Sequence, residues 1–160
     1  MRYFRLAIIG ALCLIGSASS FGDDRKKTPP KKYTLYPIGH VKKEAGKTRI
    51  ILDKRYQPGL LGLDRFSHIQ VFYWFDRNDT PQERSILQVH PRGKKSNPLS
   101  GVFATRAPVR PNLIALSLCE IVSIRENIIE IDEIDAFPGT PVLDIKPYIP
   151  DIDAVDGDSP

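Results

Sequence analysis

The segment "LIALSLCEIVSI", Leu113–Ile124, decides the fold class of this chain. Large residues dominate its even-numbered positions, whereas positions 115, 117 and 119 carry the smaller alanine, serine and cysteine. The even-numbered residues are Ile114, Leu116, Leu118, Glu120, Val122 and Ile124. A period of two is that of a β-strand, in which successive side chains point to opposite faces of the sheet. We therefore expect a long strand here.

Other runs of β-branched and aromatic residues are separated by Gly/Pro turns, as in proteins built from short strands. They are Thr34–Ile38, Thr48–Leu52, His68–Phe75, Ser85–Val89, Val102–Thr105, Asn127–Ile134 and Val142–Ile145. The run "HIQVFYWF", His68–Phe75, is apolar or aromatic at nearly every position, which predicts a central strand covered on both faces. No sustained period of 3.6 residues occurs in residues 33–150. This pattern predicts one mainly β domain, an antiparallel barrel or sandwich, over residues 33–150.

Residues 1–20 have the pattern of a cleavable leader in front of that domain. Arg2 and Arg5 form a basic start, Leu6–Gly16 is apolar, and Gly16–Ser20 offers small residues for cleavage, as in a secretory signal peptide. The apolar run is shorter than the roughly 20 residues of a spanning helix, so we expect no stable membrane association after cleavage. An organelle presequence is the alternative, since the leader contains no acid. Taken alone, the leader indicates a periplasmic or secreted protein.

Two charged segments flank the domain, namely a proline-containing linker at residues 21–32 and an acidic tail at residues 151–160. Cys119 is the one cysteine outside the leader, so no disulfide can form within the domain. Its apolar neighbours predict a buried small hydrophobic residue rather than a reactive thiol.

Charge is distributed unevenly along the domain. Arg84–Cys119 contains six basic residues and no acid, whereas Glu120–Pro160 contains eleven acids and two basic residues. The basic segment can bind an anionic partner, or the two segments can pair with each other along a shared sheet edge. The sequence leaves both explanations open.

Polar residues cluster in "HPRGKKSNP", His90–Pro98, in "GVFATRAPVRPN", Gly101–Asn112, and in "DAFPGTPVLDIKPYIP", Asp135–Pro150. Arginines held beside prolines lose less conformational entropy on binding, and their guanidinium groups match a carboxylate or phosphate. A buried Asp144 in an apolar strand would need a cationic partner. Each cluster taken alone also fits a rigid turn with solvated charges.

Several common site signatures are absent from the sequence. It contains no GxGxxG or GxxxxGK[ST] nucleotide-binding loop and no GxSxG nucleophile elbow. His40, His68 and His90 are far apart, and their spacing does not indicate a metal site. We therefore expect a non-Rossmann protein without a metal.

Four longer motifs carry a family resemblance: "GLLGLDRFSHIQVFYWF", "LQVHPRG", "GVFATRAPVRPNLIALS" and "GTPVLDIKPYIP". They resemble, in the same order, the motifs of the TsaA-like family, also called the YaeB or TrmO type, over roughly Tyr33–Pro150. The resemblance implies a small β-barrel methyltransferase that uses S-adenosylmethionine. It further implies methylation of N6 of the threonylcarbamoyl-modified adenosine beside the tRNA anticodon. Members of the family form homodimers with cofactor sites near the subunit interface.

The resemblance and the polar clusters together suggest roles for individual residues. Arg106 or Arg110 would hold a carboxylate of cofactor or substrate, and Asp135 or Asp144 would face the sulfonium or accept the N6 proton. The expected cofactor-binding residues are Gly101, Phe103, Thr105, Arg106, Arg110, Asn112 and Thr140. The expected RNA contacts are Arg92, Lys94, Lys95, Lys146 and Tyr148.

The chain departs from the family pattern in three respects. Leu113 and Ala115 stand where the family usually has Pro and Gly, and Pro138 replaces the acid that usually precedes Gly139. The leader indicates export, whereas the family function requires the cytoplasm or a translating organelle. The alternative function is therefore an exported, non-catalytic barrel that binds another anionic small molecule.

Overall fold

The computed structural model describes residues 31–154. The leader, nearly all of the linker and residues 155–160 of the tail lie outside the described residues, so the predictions for them are not tested. Within residues 31–154, no helix is both long and apolar enough to cross a bilayer.

Six strands close into an antiparallel barrel in the order β1-β2-β7-β6-β3-β8, and β4 and β5 form a separate two-stranded ribbon. The strands are β1 Gly39–Glu44, β2 Lys47–Leu52, β3 His68–Trp74, β4 Gln88–Val89, β5 Ser100–Gly101, β6 Ile114–Arg125, β7 Ile128–Ile131 and β8 Pro141–Pro147. The prediction of a mainly β antiparallel protein is confirmed, and the barrel is the form it takes.

Helical structure is confined to short segments between the strands. The α-helical turns are α1 Pro81–Arg84 and α2 Pro150–Asp153, and the 3-10 turns are Lys54–Leu60, Leu63–Arg65, Asp76–Asn78, Pro91–Gly93 and Val102–Ala104. Part of the predicted acidic tail therefore belongs to a helical turn, in which the Asp153 carboxylate accepts a hydrogen bond from the Ile149 N–H at 2.8 Å.

The interior of the barrel is filled by aliphatic side chains from all six of its strands. Along β3 the odd-numbered residues Ile69, Val71 and Tyr73 are buried, while the even-numbered residues between them are half-buried. The expectation that β3 is equally covered on both faces is therefore wrong. Because a barrel wall has one inward face, only every second side chain of a strand reaches the core.

The predicted alternation of β6 is confirmed as far as Val122, and its small residues face the interior. A bulge between Ile121 and Ser123 then reverses the alternation, so that Ile124 packs against the core. Ala115 and Cys119 are buried, and burial raises the pKa of the Cys119 thiol to about 12, so this residue is an inert part of the core. The even-numbered side chains from Ile114 to Val122 point outward, and all of them except the exposed Glu120 are large and apolar. We call the apolar members of this row the outer β6 stripe. It consists of Ile114, Leu116, Leu118 and Val122, with Leu118 52% exposed and Val122 57% exposed.

The first strand was missed by the sequence prediction. Thr34–Ile38 is irregular, and β1 begins at Gly39. Only Gly39 and Val41 of β1 are buried, so the strand has too few apolar residues for a visible alternation. A side chain at position 39 would overlap the Ile51 carbonyl oxygen, which explains the glycine at this close approach of β1 to β2.

Two further predicted strands are mostly replaced by turns. Of the predicted strand Ser85–Val89, only Gln88–Val89 is extended, as β4, and a helical turn at Pro81–Arg84 comes before it. The Thr80 side chain accepts a hydrogen bond from the Glu83 N–H at 3.2 Å, so "TPQE" is an N-capping signal that was legible in the sequence. The predicted strand Val102–Thr105 is a 3-10 turn, closed by a bond from the Thr105 N–H to the Val102 carbonyl at 3.2 Å.

Candidate functional site

A cleft of about 850 Å³ opens at one end of the barrel. Its walls are the end of β3 with the 3-10 turn that follows, the loop 105–110, the first half of β6 and the segment 133–140. Because neighbouring strands are antiparallel, the end of β3 lies beside the beginnings of β6 and β8, which brings these distant parts of the chain together. Thr105, Arg106, Arg110, Asp135 and Thr140 of the predicted site line this cleft.

Within residues 31–154, the first half of β6 has a backbone edge that faces the cleft and pairs with no other strand. One side of β6 pairs with β3 from Ile114 to Glu120, but its other side pairs with β7 only from Ile121 onward. The Glu120 N–H and carbonyl bond to Asp132, which shows that even-numbered residues direct their backbone groups away from β3. The same groups of Leu116 and Leu118 therefore point toward the cleft as donors and acceptors.

Both predicted arginines of the loop 105–110 reach the cleft, but they differ in their contacts. Arg106 is exposed and donates from Nη1 to the Leu116 carbonyl at 3.1 Å, on the free edge of β6. Arg110 is half-buried and donates from Nη1 to the carbonyls of Thr105 at 3.4 Å and Ala107 at 3.3 Å. Arg110 thus braces its own loop, whereas the Arg106 guanidinium is more available to a ligand.

The basic and acidic segments do not neutralise each other. Among residues 31–154, no salt bridge joins a cation of Arg84–Cys119 to an acid of the segment that begins at Glu120. Arg84 pairs instead with Asp79 at 2.8 Å, and Glu130 pairs with two cations of β2. Ion pairs of the described residues therefore give no support to the pairing of the two segments, and the anionic partner stays a prediction.

Asp135 is held at the cleft through its backbone. The Tyr73 hydroxyl donates to the Asp135 carbonyl at 2.8 Å and lies 3.2 Å from the Ser117 Oγ. Burial raises the pKa of Tyr73, so the hydroxyl keeps its proton and remains a donor at neutral pH. The Asp135 side chain itself is exposed, so its carboxylate is open to a ligand.

The segment that follows Asp135 ends in a tight turn. The Thr140 N–H donates to the Phe137 carbonyl at 3.2 Å, and Gly139 has a φ of 89°. Pro at the second position and a positive-φ glycine at the third are typical of a type II turn. Pro138, which replaces the usual acid of the family, therefore stiffens the turn that brings the buried Thr140 to the cleft.

Asp144 does not join Asp135 in this cleft. It is exposed, forms an ion pair with Lys146 at 3.3 Å and lines a second cleft of about 410 Å³. The expectation that it is buried is wrong because β8 has a bulge at Leu143, where pairing with β3 passes from Val142 directly to Asp144. The extra residue reverses the alternation, so that Asp144 points outward.

The other predicted site residues also lie outside the lining of the first cleft. Gly101, Phe103 and Asn112 are exposed but do not line it. Lys146 forms an ion pair with Asp144, and the Tyr148 ring packs edge-on against His68 with centroids 6.4 Å apart.

Three of the predicted RNA contacts share one exposed loop. Arg92, Lys94 and Lys95 lie between β4 and β5, in the segment His90–Pro98 that we call the basic loop. His90 Nδ1 lies 2.8 Å from the Asn97 carbonyl, and the Asn97 side chain donates to the Pro91 carbonyl at 2.8 Å. These bonds close the loop at its base and leave its three cations in solvent.

Sequence reasoning missed several residues of the cleft. Asp76 and Arg77 come from the 3-10 turn after β3, and Glu133 and Phe137 flank Asp135. The polar run "DRND" directly after a strand was the available signal for the first two. In the described part of the chain, no group of three His, Cys, Asp or Glu side chains is placed to bind a metal ion.

Comparison with known proteins matches this architecture. The model of the tRNA-methyltransferase O N-terminal domain matches residues 26–154. A probable S-adenosyl-L-methionine-binding protein of Methanocaldococcus jannaschii is 45% identical over 121 residues, which are 76% of this chain and 96% of that protein. The crystal structure of TrmO from Pseudomonas aeruginosa has a TM-score of 0.62 and 27% identity, and the match covers 81% of this chain and 62% of that one.

A vertebrate relative is much longer than this chain. The tRNA (adenine(37)-N6)-methyltransferase of Rattus norvegicus is 40% identical over 100 residues, which are 61% of this chain but 22% of the rat protein. The resemblance inferred from the four motifs is confirmed by these matches. This chain, with its closed six-stranded barrel, belongs to the tRNA-methyltransferase O N-terminal domain family, the TsaA-like or TrmO type.

Proposed function

We propose that this protein is an S-adenosylmethionine-dependent methyltransferase that acts on N6 of adenosine in tRNA. The threonylcarbamoyl-modified adenosine beside the anticodon is the proposed substrate. The observation that carries the proposal is the cleft at one end of the barrel, where Arg106 and Arg110 of one loop and Asp135 and Thr140 of a second segment line the same cavity. Family membership and the functions named for the relatives support it.

The residues of the cleft fit the chemical groups of this cofactor. A volume of about 850 Å³ lies within the range of small-molecule sites. The exposed Arg106 guanidinium matches an amino-acid carboxylate, and the N–H and carbonyl of Leu118, on the β6 edge that does not pair with β7, match the donor–acceptor edge of adenine. We therefore assign adenine recognition to the β6 edge rather than to the turn around Gly101.

Methyl transfer requires little covalent chemistry from the protein. The cofactor supplies a methyl group on a positively charged sulfur, so the protein mainly positions the two reactants in line. In our proposal the Asp135 carboxylate accepts the proton that N6 loses as the new N–C bond forms. Asp144 takes no part, because it lies on the outer face of β8 and lines the second cleft.

The outer β6 stripe supports the homodimer that the family resemblance implied. Ile114, Leu116 and Leu118 of this stripe also line the cleft, so a second copy seated on it would cover the cleft mouth. Replacing Val122, which is outside the cleft lining, with Lys should convert the dimer to a monomer in light-scattering measurements, whereas Val122→Leu should not. A Val122→Lys dimer, or a wild-type monomer, would refute this interface.

Two measurements test the proposed function. In calorimetry, the wild-type protein should bind S-adenosylmethionine. In a transfer assay with labelled cofactor, it should methylate tRNA that carries threonylcarbamoyladenosine and not tRNA with unmodified adenosine at that position. No binding at millimolar cofactor would reject the proposal and favour the alternative, a non-catalytic barrel for another anionic small molecule.

The leader calls for a separate experiment. We propose cleavage near residue 20, which would place the mature protein outside the cytoplasm or in an organelle that translates its own messages. Mass spectrometry of the native protein should find an N-terminus near that position. An intact Met1 in a cytosolic fraction would contradict export and would remove the conflict with an intracellular cofactor and tRNA.

A further inference from the structure

An arginine stacked on an aromatic ring lies in the lining of the first cleft. The Arg77 guanidinium carbon is 3.7 Å from the centroid of the Phe137 ring. Phe137 remains 57% exposed although one face of its ring is covered, so the other face is open to solvent. Phe137 is therefore a large apolar side chain that is exposed beside the proposed reaction site.

Neither an ion pair nor core packing among residues 31–154 accounts for the position of the pair. Arg77 forms no salt bridge within residues 31–154, and Phe137 is not part of the buried core. Arg84 and Trp74 also form a cation–π pair, but there Arg84 is tied to Asp79 and to the Pro111 carbonyl. The Arg77 charge, by contrast, has no carboxylate partner in the described part of the chain.

The backbone around Phe137 is fastened on both sides, so its ring is presented by a rigid segment. On one side, the Tyr73 hydroxyl donates to the Asp135 carbonyl at 2.8 Å. On the other side, the Thr140 N–H donates to the Phe137 carbonyl, and the Gly139 N–H donates to the Val41 carbonyl at 2.8 Å. A preorganised aromatic surface loses little entropy when a ligand stacks on it.

An aromatic face flanked by a guanidinium is a surface on which a nucleobase stacks, and a nearby cation favours a ligand that carries phosphate or carboxylate. We propose that Arg77 and Phe137 form a stacking platform for an adenine ring in this cleft. This inference rests on the proposed function, in which adenine occurs in both the cofactor and the target nucleotide. Both sources present the same ring.

The test pairs each ligand with a counterpart that lacks the adenine. Calorimetry compares S-adenosylhomocysteine with S-ribosylhomocysteine, and an anticodon stem-loop with the same RNA abasic at the target position. Phe137→Ala should weaken binding of the adenine-containing ligand by about 5- to 150-fold, since stacking of a base contributes about 1–3 kcal/mol. It should leave binding of the adenine-free counterpart unchanged.

Variants with matched geometry define the role of the ring and of the charge. Phe137→Tyr should keep most of the affinity, Phe137→Leu should lose it, and Arg77→Gln should lose part of it. Tyr36, an exposed aromatic residue outside both clefts, provides the control variant Tyr36→Ala, which should bind like the wild type. Melting temperatures should stay close to that of the wild type, because neither side chain of the platform is buried.

The outcomes identify the source of the adenine. A loss confined to S-adenosylhomocysteine assigns the platform to the cofactor, and a loss confined to the stem-loop assigns it to the target nucleotide. Unchanged affinity of Phe137→Ala for both, or an equal loss with the adenine-free ligands, overturns the platform while the proposed function stands. If the wild-type protein binds neither ligand, the proposed function fails and the platform fails with it.

Discussion

Replacement of Arg106 with Ala should weaken ligand binding far more than it weakens the fold. Arg106 is exposed, and its recorded contact is one hydrogen bond of 3.1 Å from Nη1 to the Leu116 carbonyl. That carbonyl lies on the free edge of β6, where water can replace the guanidinium. We therefore expect a loss of about 0.5–1 kcal/mol in the free energy of unfolding. For a small domain this corresponds to a melting temperature lower by about 2–8 °C.

The effect on binding should be larger because a carboxylate would lose its charged partner. A hydrogen bond to a charged group contributes about 1.5–3 kcal/mol, which corresponds to a dissociation constant raised about 10- to 150-fold. Calorimetric titration with S-adenosylhomocysteine measures this change, and thermal unfolding measures the stability. Arg106→Lys should recover only part of the affinity, since an ammonium group lacks the planar fork of a guanidinium.

Arg55 offers a matched control, because it is also exposed and lies outside the lining of the first cleft. It pairs with nearby Asp53 at 3.3 Å and stacks on the Tyr56 ring at 4.7 Å from its centroid. Arg55→Ala should bind the ligand as the wild type does. The reasoning is refuted if Arg106→Ala lowers the melting temperature by much more than 8 °C, a bound set by the single hydrogen bond, while the affinity is unchanged. That result would mean that Arg106 only supports the loop.

Three other predictions concern different parts of the protein. Tyr73→Phe removes the donor to the Asp135 carbonyl and should lower the free energy of unfolding by about 0.5–1.5 kcal/mol, measured by urea titration. An unchanged urea midpoint of unfolding would contradict this. Hydrogen bonds from Lys47 and Arg49 lower the pKa of Glu130 below its usual 4.5. The stabilisation from Glu130 is thus present above pH 4.5 and is lost as the pH falls through the folded-state pKa, so Glu130→Gln should be less stable than wild type at pH 7 and equally stable in strong acid. A stability gap that does not depend on pH would contradict this. Neutralising the three cations of the basic loop should reduce the slope of log affinity for tRNA against log salt by about 2–3, and an unchanged slope would exclude phosphate contacts there.

Much of the fold follows from the sequence, because strands with a strong alternation need no information about distant partners. β6 was predicted within one residue at each end, and β3 was predicted with one extra residue at its end. β1 was missed because only two of its six residues are buried and the other four are polar or charged. The turn at Val102–Ala104 was mistaken for a strand because its residue types suit either form.

The sequence also identified five residues that line the cleft, because arginines beside prolines and an aspartate before a turn stand out locally. The direction of Asp144 could not be predicted, since it depends on a bulge in the pairing of β8 with β3. Arg77 and Phe137 are 60 positions apart in the chain, and their stacking depends on how the barrel closes.

The sequence by itself determined the β class, the buried role of Cys119 and the family, because periodicity and long motifs are local properties. Only the tertiary structure decided which arginines of residues 31–154 have a carboxylate partner. Three arginines differ in their spatial neighbours. Arg106 contacts a strand-edge carbonyl, Arg77 contacts an aromatic ring, and Arg84 contacts a carboxylate. Closure of the barrel determines those neighbours, and local sequence patterns do not predict them.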